Sequence, residues 1–378
     1  MSDDAARQRL RSIQRVVIKV GSALLNQPDT GLAKARIDEL AEQIHELLED
    51  GVQVVLVSSG AVAEGLSRLG MRRRPSRVHE LQAAAAVGQM GLVQAYEQAF
   101  AGHGRHTAMV LLTHDDLANR KRYLNARATL TRLLALGVIP VINENDTVAT
   151  DEIRFGDNDT LAALVANLLQ ADLLFILTDT DGLHEADPRV EPQAALVSEA
   201  DVAESRLDEM VGEGVGALGR GGMVTKLSAA RIAARSGAHT LIASGNEPQV
   251  VRRALAGESL GTLLVASVTP LDARKGWIAG QLRVKGDLQL DEGAVRALRS
   301  DGVSLLPVGV RGVSGDFSRG DLVRCLDPSG RVVAQGLINY GSGDTAKLMG
   351  VGSGAIAERI GYSAEPELIH RDNLVLLD

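Results

Sequence analysis

The chain has 378 residues and a formal net charge of −8, with 40 lysines and arginines against 48 aspartates and glutamates. This acidic balance disfavours a protein that holds nucleic acid mainly through bulk electrostatics. Cys325 is the single cysteine, which excludes an internal disulfide framework and fits a reducing compartment.

The first two thirds of the chain alternate short apolar runs with segments of helical periodicity. The β-branched run at residues 16–20 ends in Gly21 and Ser22, and residues 37–48 then carry apolar side chains at helical spacing. The recurrence of strand, small-residue turn and helix indicates an α/β fold with a mostly parallel sheet and helices on both faces. Further strands are predicted at residues 53–58, 107–112, 138–142, 172–178, 239–243 and 262–265, and helices from Ser59 and at residues 81–100, 125–136, 160–169 and 223–235.

Four polar or small residues follow the ends of predicted strands: Gly21, Ser59, Asn143 and Thr178. In open α/β sheets, ligands bind beyond the carboxyl ends of the strands. We therefore expect these residues to meet at one ligand-binding edge.

Residues 141–160 contain six carboxylates and three carboxamides directly after an apolar run. Carboxylate and carboxamide oxygens accept hydrogen bonds from an ammonium group and can hold a divalent cation, and carboxamide nitrogens donate hydrogen bonds to a carboxylate. The segment therefore indicates a site for a small zwitterion near a metal. A polar, turn-rich connection is the alternative interpretation, because Asn, Asp and Gly dominate turns.

Two segments carry a lysine beside small residues. Lys19 precedes Gly21 and Ser22, so its ammonium group and the following amides are placed to face a phosphate. Residues 214–226 are glycine-rich and end in Thr225 and Lys226 at a predicted helix start, a pattern that lets the backbone approach an anion. The alternative for Lys19 is a lysine at a strand end whose ammonium group reaches solvent. The alternative for residues 214–226 is a surface loop with a helix cap.

Two common nucleotide motifs are excluded or discounted. The sequence has no G-x-x-x-x-G-K-S/T motif, which excludes a P-loop enzyme by pattern, and the G-x-G-x-x-G match at residues 214–219 does not follow a predicted strand. Two lysines, a glycine-rich anion loop and a carboxylate cluster instead indicate phosphoryl transfer by positioning and charge neutralisation, to an acceptor whose own carboxylate attacks.

The pattern changes after residue 267. A turn-rich connection is followed by short apolar runs with frequent glycine at residues 280–285, 304–310, 322–326, 332–338 and 374–377. These runs predict a small, mainly β domain. The predicted organisation is a large domain at residues 1–267, a linker at 268–279 and a small domain at 280–378.

Eleven short motifs along the chain carry a family resemblance. They are V-I-K-V-G-S at 17–22, V-S-S-G-A-V-A at 57–63, L-N-A-R at 124–127, P-V-I-N-E-N-D at 140–146, G-D-N-D at 156–159, L-T-D at 177–179, A-D-P-R at 186–189, G-G-M-V-T-K at 221–226, D-E-G-A at 291–294, S-L-L-P at 304–307 and F-S-R-G-D at 317–321. In order and spacing they resemble the motifs of the amino-acid kinase family, in the branch of the bacterial glutamate 5-kinases, whose members carry a C-terminal PUA domain. The resemblance covers nearly the whole chain and implies a three-layer amino-acid-kinase sandwich followed by a PUA-like domain.

The resemblance implies ATP-dependent phosphorylation of the γ-carboxylate of L-glutamate to L-glutamyl 5-phosphate, the first step of proline biosynthesis, with ATP and Mg²⁺ as co-substrates. It also implies a homo-oligomer and feedback inhibition by proline. The charged N-terminus and the lack of a long apolar stretch predict a cytoplasmic protein with no membrane partner.

The family's site residues are carried over by motif. Lys19 and Lys226 would neutralise the phosphates and the transferring group. Asp157 and Asp159 would orient these lysines or bind Mg²⁺, and of the two Asp159 is the assigned metal ligand. Asp146 would suit the α-ammonium group of glutamate. The implied nucleotide-binding residues are Lys19, Gly21, Ser22, Thr178, Asp179, Arg220, Gly221, Gly222, Met223, Val224, Thr225 and Lys226, and the implied glutamate-binding residues are Ser59, Gly60, Asn143, Asp146 and Asn158.

Two positions depart from the family pattern. Arg220 stands where many relatives carry a small or hydroxylated residue, and Ala23 stands where a hydroxyl is frequent. Either change would alter the affinity for ATP without removing the reaction.

Two alternative functions remain at this stage. One is another amino-acid kinase that acts on a related acid. The other is an RNA-binding module in the PUA-like tail. From residue 276 onward the tail has 11 basic against 13 acidic residues, a net −2, and aromatic residues make up 2% of the chain, so RNA is not an expected partner.

Overall fold

The computed structural model describes residues 3–27, 31–71, 73–149, 158–188, 190–211, 222–267, 284–363 and 365–377. The chain forms two compact units, Met1–Pro270 and Leu271–Asp378. The linker predicted at 268–279 lies outside the described residues, so the predicted domain boundaries stay a prediction.

The first unit alternates strands and helices. Its strands are β1 Arg15–Val20, β2 Asn26–Gln27, β3 Gly31–Leu32, β4 Gln53–Ser58, β5 Thr107–Leu112, β6 Ile139–Glu144, β7 Leu173–Thr178, β8 Glu199–Asp201, β9 His239–Ser244 and β10 Thr262–Val265. Its helices are α1 Asp3–Arg9, α2 Ser22–Leu25, α3 Lys34–Glu49, α4 Ala61–Arg68, α5 Val78–Ala101, α6 His114–Ala118, α7 Arg120–Ala135, α8 Asn158–Leu169, α9 Arg206–Val211, α10 Met223–Ala234 and α11 Val250–Leu255.

Eight of these strands form one sheet in the order β5-β6-β4-β1-β7-β9-β10-β8. The strands from β5 to β9 pair in parallel, whereas β10 runs antiparallel to β9 and parallel to β8. The predicted α/β architecture with a mostly parallel sheet is therefore confirmed.

The apolar side chains of β1 alternate between two cores. Val16 and Ile18 pack in one core with α3, α5 and α11, and Val17 packs in the other with α7, α8 and α10. Successive strand residues point to opposite faces, so this alternation produces three layers. Lys19 is two residues after Val17, so its side chain lies on the same face of the sheet as that of Val17, where α8 begins.

Several predicted boundaries of the first unit shift. The helix predicted from Ser59 begins at Ala61, and α7 begins at Arg120 rather than residue 125 because the Asn119 side chain caps it by accepting from the Arg122 amide. The sequence analysis missed the short elements α1, α2, α6, α9, α11, β2, β3 and β8. They are too short to show a clear period.

The second unit has its own sheet, in the order β12-β11-β13-β14-β15, with only β11 and β13 parallel. Leu288, Val323 and Tyr340 belong to its separate apolar core. Its elements are β11 Val284–Leu290, α12 Glu292–Asp301, β12 Val310–Gly315, β13 Leu322–Leu326, β14 Val332–Leu337, α13 Ser342–Leu348, α14 Ile356–Ile360 and β15 Leu374–Leu376.

One strand predicted for this unit is not observed, and one helix was not predicted. The strand predicted at 304–310 is wrong: residues Pro307–Gly309 form a 3₁₀ turn, with Pro307 in its first turn, and the strand begins only at Val310. Of the predicted run at 280–285, residues 280–283 lie outside the described residues, and the last two residues belong to β11. Helix α12 was missed, although Asp291 caps it by accepting from the Ala294 amide.

Within the described residues, no helix combines the length and the apolar character that crossing a bilayer requires.

Candidate active site

A cavity of about 280 Å³ lies at the carboxyl ends of β1, β4, β6 and β7. All four strand-end residues expected to meet there do line it. Its lining consists of Lys19, Gly21, Ser22, Ala23, Asn26, Ser59, Gly60, Ala61, Val62, Ala63, Arg74, Asn143, Asp146, Asn158, Thr178, Asp179 and Lys226.

One buried carboxylate joins the two lysines of this cavity. Asp159 Oδ1 lies 2.6 Å from Lys19 Nζ, and Asp159 Oδ2 lies 3.3 Å from Lys226 Nζ. The Thr225 hydroxyl donates to the same Oδ2 at 3.0 Å. Asp159 is in the first turn of α8, and Lys226 is in the first turn of α10, which packs against α8. Helix packing thus brings two lysines from distant parts of the chain to one anion.

The charges of this group depend on each other. Burial alone would raise the pKa of Asp159, but the ammonium groups of Lys19 and Lys226 outweigh it and hold that pKa below its ordinary value. Burial also lowers the pKa of Lys226, although Asp159 opposes that shift. Each lysine side chain is nearly buried, so a negative ligand entering the cavity meets positive charge that water screens poorly.

A cluster of amides lies beside the lysines. The Asn158 Nδ2 group is 2.8 Å from Ser59 Oγ, 3.1 Å from Asn143 Oδ1 and 3.1 Å from the Ser58 carbonyl oxygen. Asn158 Oδ1 is buried and has no hydrogen-bond partner among the described residues. An unsatisfied buried acceptor is costly, so this oxygen suits a ligand that donates an N–H.

The turn after β4 requires glycine at position 60. Gly60 has φ +108°, and a Cβ atom there would lie 3.3 Å from Asn26 Oδ1. Asn26 Oδ1 is itself buried without a hydrogen-bond partner among the described residues. The turn therefore lets bare backbone line the cavity at Gly60.

The structure brings most of the predicted site residues together. Asp159 and Thr225 are not part of the lining; Thr225 donates to Asp159, which contacts the two lining lysines. Met223 packs against the apolar core, and the Val224 side chain is exposed. Gly222 precedes α10 and is not part of the lining. Asp157, Arg220 and Gly221 lie outside the described residues. The predicted residues that line the cavity are Lys19, Gly21, Ser22, Ser59, Gly60, Asn143, Asp146, Asn158, Thr178, Asp179 and Lys226.

Two polar residues of the cavity, Asn26 and Arg74, are not predicted from the sequence. Arg74 follows Arg73 and precedes Pro75 in the loop between α4 and α5. A short basic run next to a proline is common on protein surfaces, so Arg74 does not stand out in the sequence. Apart from Lys19 and Lys226, Arg74 is the cation among the described residues that line the cavity.

Direct binding of a metal ion by Asp159, as the sequence analysis expected, does not fit this geometry. Both carboxylate oxygens face ammonium groups, and a carboxylate neutralised in this way is a poor ligand for Mg²⁺. No group of three His, Cys, Asp or Glu side chains within the described ranges is arranged to hold a metal ion. Asp159 fits the other expected role, which is to hold the two lysines in place.

The sequence of this chain matches two family models. The model of the amino acid kinase family matches residues 14–244, and that of the PUA domain matches residues 286–358. The first match contains the cavity, and the second lies in the second compact unit.

Curated relatives align along the whole length. The glutamate 5-kinase of Chromohalobacter salexigens is 60% identical over 376 residues, which cover 100% of this chain and 99% of the relative. The enzyme of Methylococcus capsulatus is 59% identical over 371 residues, covering 98% and 99%. That of Pseudomonas syringae pv. tomato is 60% identical over 371 residues, covering 98% and 100%. Each alignment therefore runs through both units.

Proposed function

The chain belongs to the amino acid kinase family, and from that premise we propose that it transfers the γ-phosphoryl group of ATP to the γ-carboxylate of L-glutamate. The products are ADP and L-glutamyl 5-phosphate. The observation that carries the proposal is the pair of lysines held on Asp159 in a cavity that also contains Asp146 and Asn158. The full-length similarity to glutamate 5-kinases supports the choice of glutamate.

Lys19 and Lys226 neutralise the charge on the transferring group. Phosphoryl transfer spreads negative charge over the oxygens of that group, and ammonium groups fixed beforehand stabilise it without reorganisation. Asp159 keeps both side chains at one place in the absence of substrate. No covalent intermediate with the protein is needed, because the substrate carboxylate is itself the nucleophile.

The amino-acid half of the cavity provides complementary groups for a zwitterion with two carboxylates. Asp146 and the open oxygen of Asn158 accept from the α-ammonium group. Arg74 pairs with the α-carboxylate, since Lys19 and Lys226 serve the carboxylate that reacts. The three charged parts of glutamate thus have separate partners.

The nucleotide occupies the side of the cavity formed by Thr178 and Asp179 at the end of β7 and by the start of α10. ATP enters with a divalent cation, which we propose to be Mg²⁺, and this cation supplies charge neutralisation on the phosphates when bound. Because Asp159 is engaged by lysines, the cation is held mainly by the phosphates. Asp179 is the acidic residue of the described lining on the nucleotide side.

Three further parts of the proposal come from the family resemblance. They are a place in proline biosynthesis with feedback inhibition by proline, assembly as a homo-oligomer, and a cytoplasmic location. Light scattering of the purified protein tests assembly, and turnover with added proline tests inhibition.

The decisive experiment is glutamate-dependent release of ADP with hydroxylamine present to trap the acyl phosphate. L-Aspartate and N-acetyl-L-glutamate are the comparison acceptors, since aspartate is one methylene shorter and the acetyl group removes the ammonium charge. We expect hydroxamate only with glutamate. Equal or faster turnover with either comparison acceptor would favour the alternative of a kinase for a related acid.

A further inference from the structure

A chain of three carboxamides runs from helix α5 to the cavity. Gln89 Oε1 accepts from Asn143 Nδ2 at 2.9 Å, and Asn143 Oδ1 accepts from Asn158 Nδ2 at 3.1 Å. Each carboxamide has one donating and one accepting end, so the orientation of each fixes that of its neighbour.

Both ends of this chain are groups that accept hydrogen bonds. At the cavity end, the Ser58 carbonyl oxygen lies 3.1 Å from Asn158 Nδ2. At the far end, Met109 Sδ lies 3.2 Å from Gln89 Nε2. A carbonyl oxygen and a thioether sulfur cannot donate, so each requires a nitrogen opposite it. Both ends therefore require the same orientation of the three carboxamides. In this orientation Gln89 directs its oxygen at Asn143, and Asn143 directs its oxygen at Asn158.

The position of Gln89 is itself fixed by close helix packing. A Cβ atom at Gly88 would lie 1.9 Å from the Ala61 carbonyl oxygen, so α5 lies directly against α4 at this point. Gln89 follows this contact by one residue and faces β6 through Asn143. This contact fixes the backbone from which the Gln89 side chain extends.

We propose that Gln89 is a positioning residue for the amino-acid substrate. By accepting from Asn143, it keeps the Asn158 nitrogen directed at the protein and the Asn158 oxygen available to the ammonium group of the substrate. This inference rests on the proposed function. It gives a structural reason why the site would prefer an acceptor that carries an α-ammonium group. Gln89 lies outside the cavity lining and does not touch the substrate.

The test compares two substitutions of similar size with opposite polarity. Gln89→Glu keeps an oxygen acceptor for Asn143, whereas Gln89→Met leaves only a thioether sulfur, a much weaker acceptor. The readout is the ratio of the KM for L-glutamate to the inhibition constant of glutarate, which has both carboxylates but no ammonium group. We expect Gln89→Met to raise this ratio on the order of tenfold, the value of one net hydrogen bond. Gln89→Glu should stay near the wild-type ratio, and the KM for ATP should change in neither variant.

A purely packing role for Gln89 predicts the reverse order. In that case the apolar Gln89→Met variant would resemble wild type, and the charge of Gln89→Glu at this half-buried position would be harmful. That order, or an equal change in both variants, overturns the proposal. Gln98→Met, at an exposed position of the same helix, is the control and should leave the ratio unchanged. Should Gln89→Met fail to fold in a thermal scan, Gln89→Ala repeats the loss of the acceptor.

The outcome also separates this inference from the proposed function. A wild-type protein that releases no ADP with glutamate contradicts both. A wild-type protein that turns over glutamate, with unchanged ratios in the Gln89 variants, contradicts the positioning role alone.

Discussion

Lys226 Nζ lies 3.3 Å from Asp159 Oδ2, across the contact between the first turns of two helices that are far apart in the chain. The second oxygen of the same carboxylate holds Lys19 at 2.6 Å. Loss of one lysine therefore leaves Asp159 paired with the other, and the site keeps a neutralised carboxylate. This arrangement separates the catalytic role of each lysine from its role in stability.

We expect Lys226→Ala to lower kcat by about 10²–10³-fold, the usual effect of removing one group that stabilises transition-state charge. Tm should fall little, because Asp159 keeps Lys19 as a partner. Steady-state ADP release and a thermal scan measure the two quantities. Lys34→Ala, at an exposed position at the start of α3, is the matched control and should change neither. Unchanged turnover in a folded Lys226→Ala protein would contradict the proposed role.

The stability of the protein should depend on Asp159 in acid. The lysines hold the pKa of Asp159 below its ordinary value, so its charge contributes stability above the unfolded-state pKa of about 3.9 and loses that contribution as the pH falls through the folded-state pKa. Asp159→Asn should therefore have a much lower Tm than wild type at pH 7, and the difference should narrow below about pH 4.

Thermal scans of both proteins across this pH range provide the measurement. The control is Asp208→Asn, whose carboxylate pairs with Arg231 at the protein surface and should affect Tm little at any pH. A Tm difference for Asp159→Asn that stays constant into acid would show that the ion pairs are not its source.

Substitutions of Asp146 and Asp179 should each raise the KM for a different substrate. Both residues line the cavity, and the proposed function assigns Asp146 to the ammonium group of glutamate and Asp179 to the nucleotide. We expect Asp146→Ala to raise the KM for glutamate on the order of 10–100-fold, the value of a charge-assisted hydrogen bond, and to leave the KM for ATP nearly unchanged. Asp179→Ala should mainly raise the KM for ATP. Initial rates with each substrate varied in turn distinguish the two, and a defect of Asp146→Ala confined to ATP would reverse the assignment.

Arg74 should determine recognition of the α-carboxylate. γ-Aminobutyrate keeps the γ-carboxylate and the ammonium group of glutamate but lacks the α-carboxylate. We expect Arg74→Gln to weaken glutamate binding on the order of 10–100-fold while the inhibition constant of γ-aminobutyrate changes little. The control is Arg73→Gln, in the same loop but outside the cavity lining. Equal losses for both ligands would exclude a role specific to the α-carboxylate.

The sequence predicted the edge of the sheet at which the site lies. Apolar runs of strand length mark the central strands, and the residue that follows each run is fixed by chain connectivity. For this reason Gly21, Ser59 and Asn143 were expected at one edge, where the structure has them. The short elements and the 3₁₀ turn at Pro307 were not predicted, because a few residues carry too little periodicity to separate strand from turn.

The amino-acid sequence by itself determined the alternation of strands and helices, and with it the ligand edge and the strand-end residues found there. Only the tertiary structure decided that one carboxylate, Asp159, contacts both lysines, that Arg74 lines the cavity, and that hydrogen bonds connect Gln89 through Asn143 to Asn158. The reason is physical. Periodicity is a local property of the chain, whereas an ion pair or a hydrogen bond between distant residues depends on how α8 packs on α10 and how α5 packs on α4.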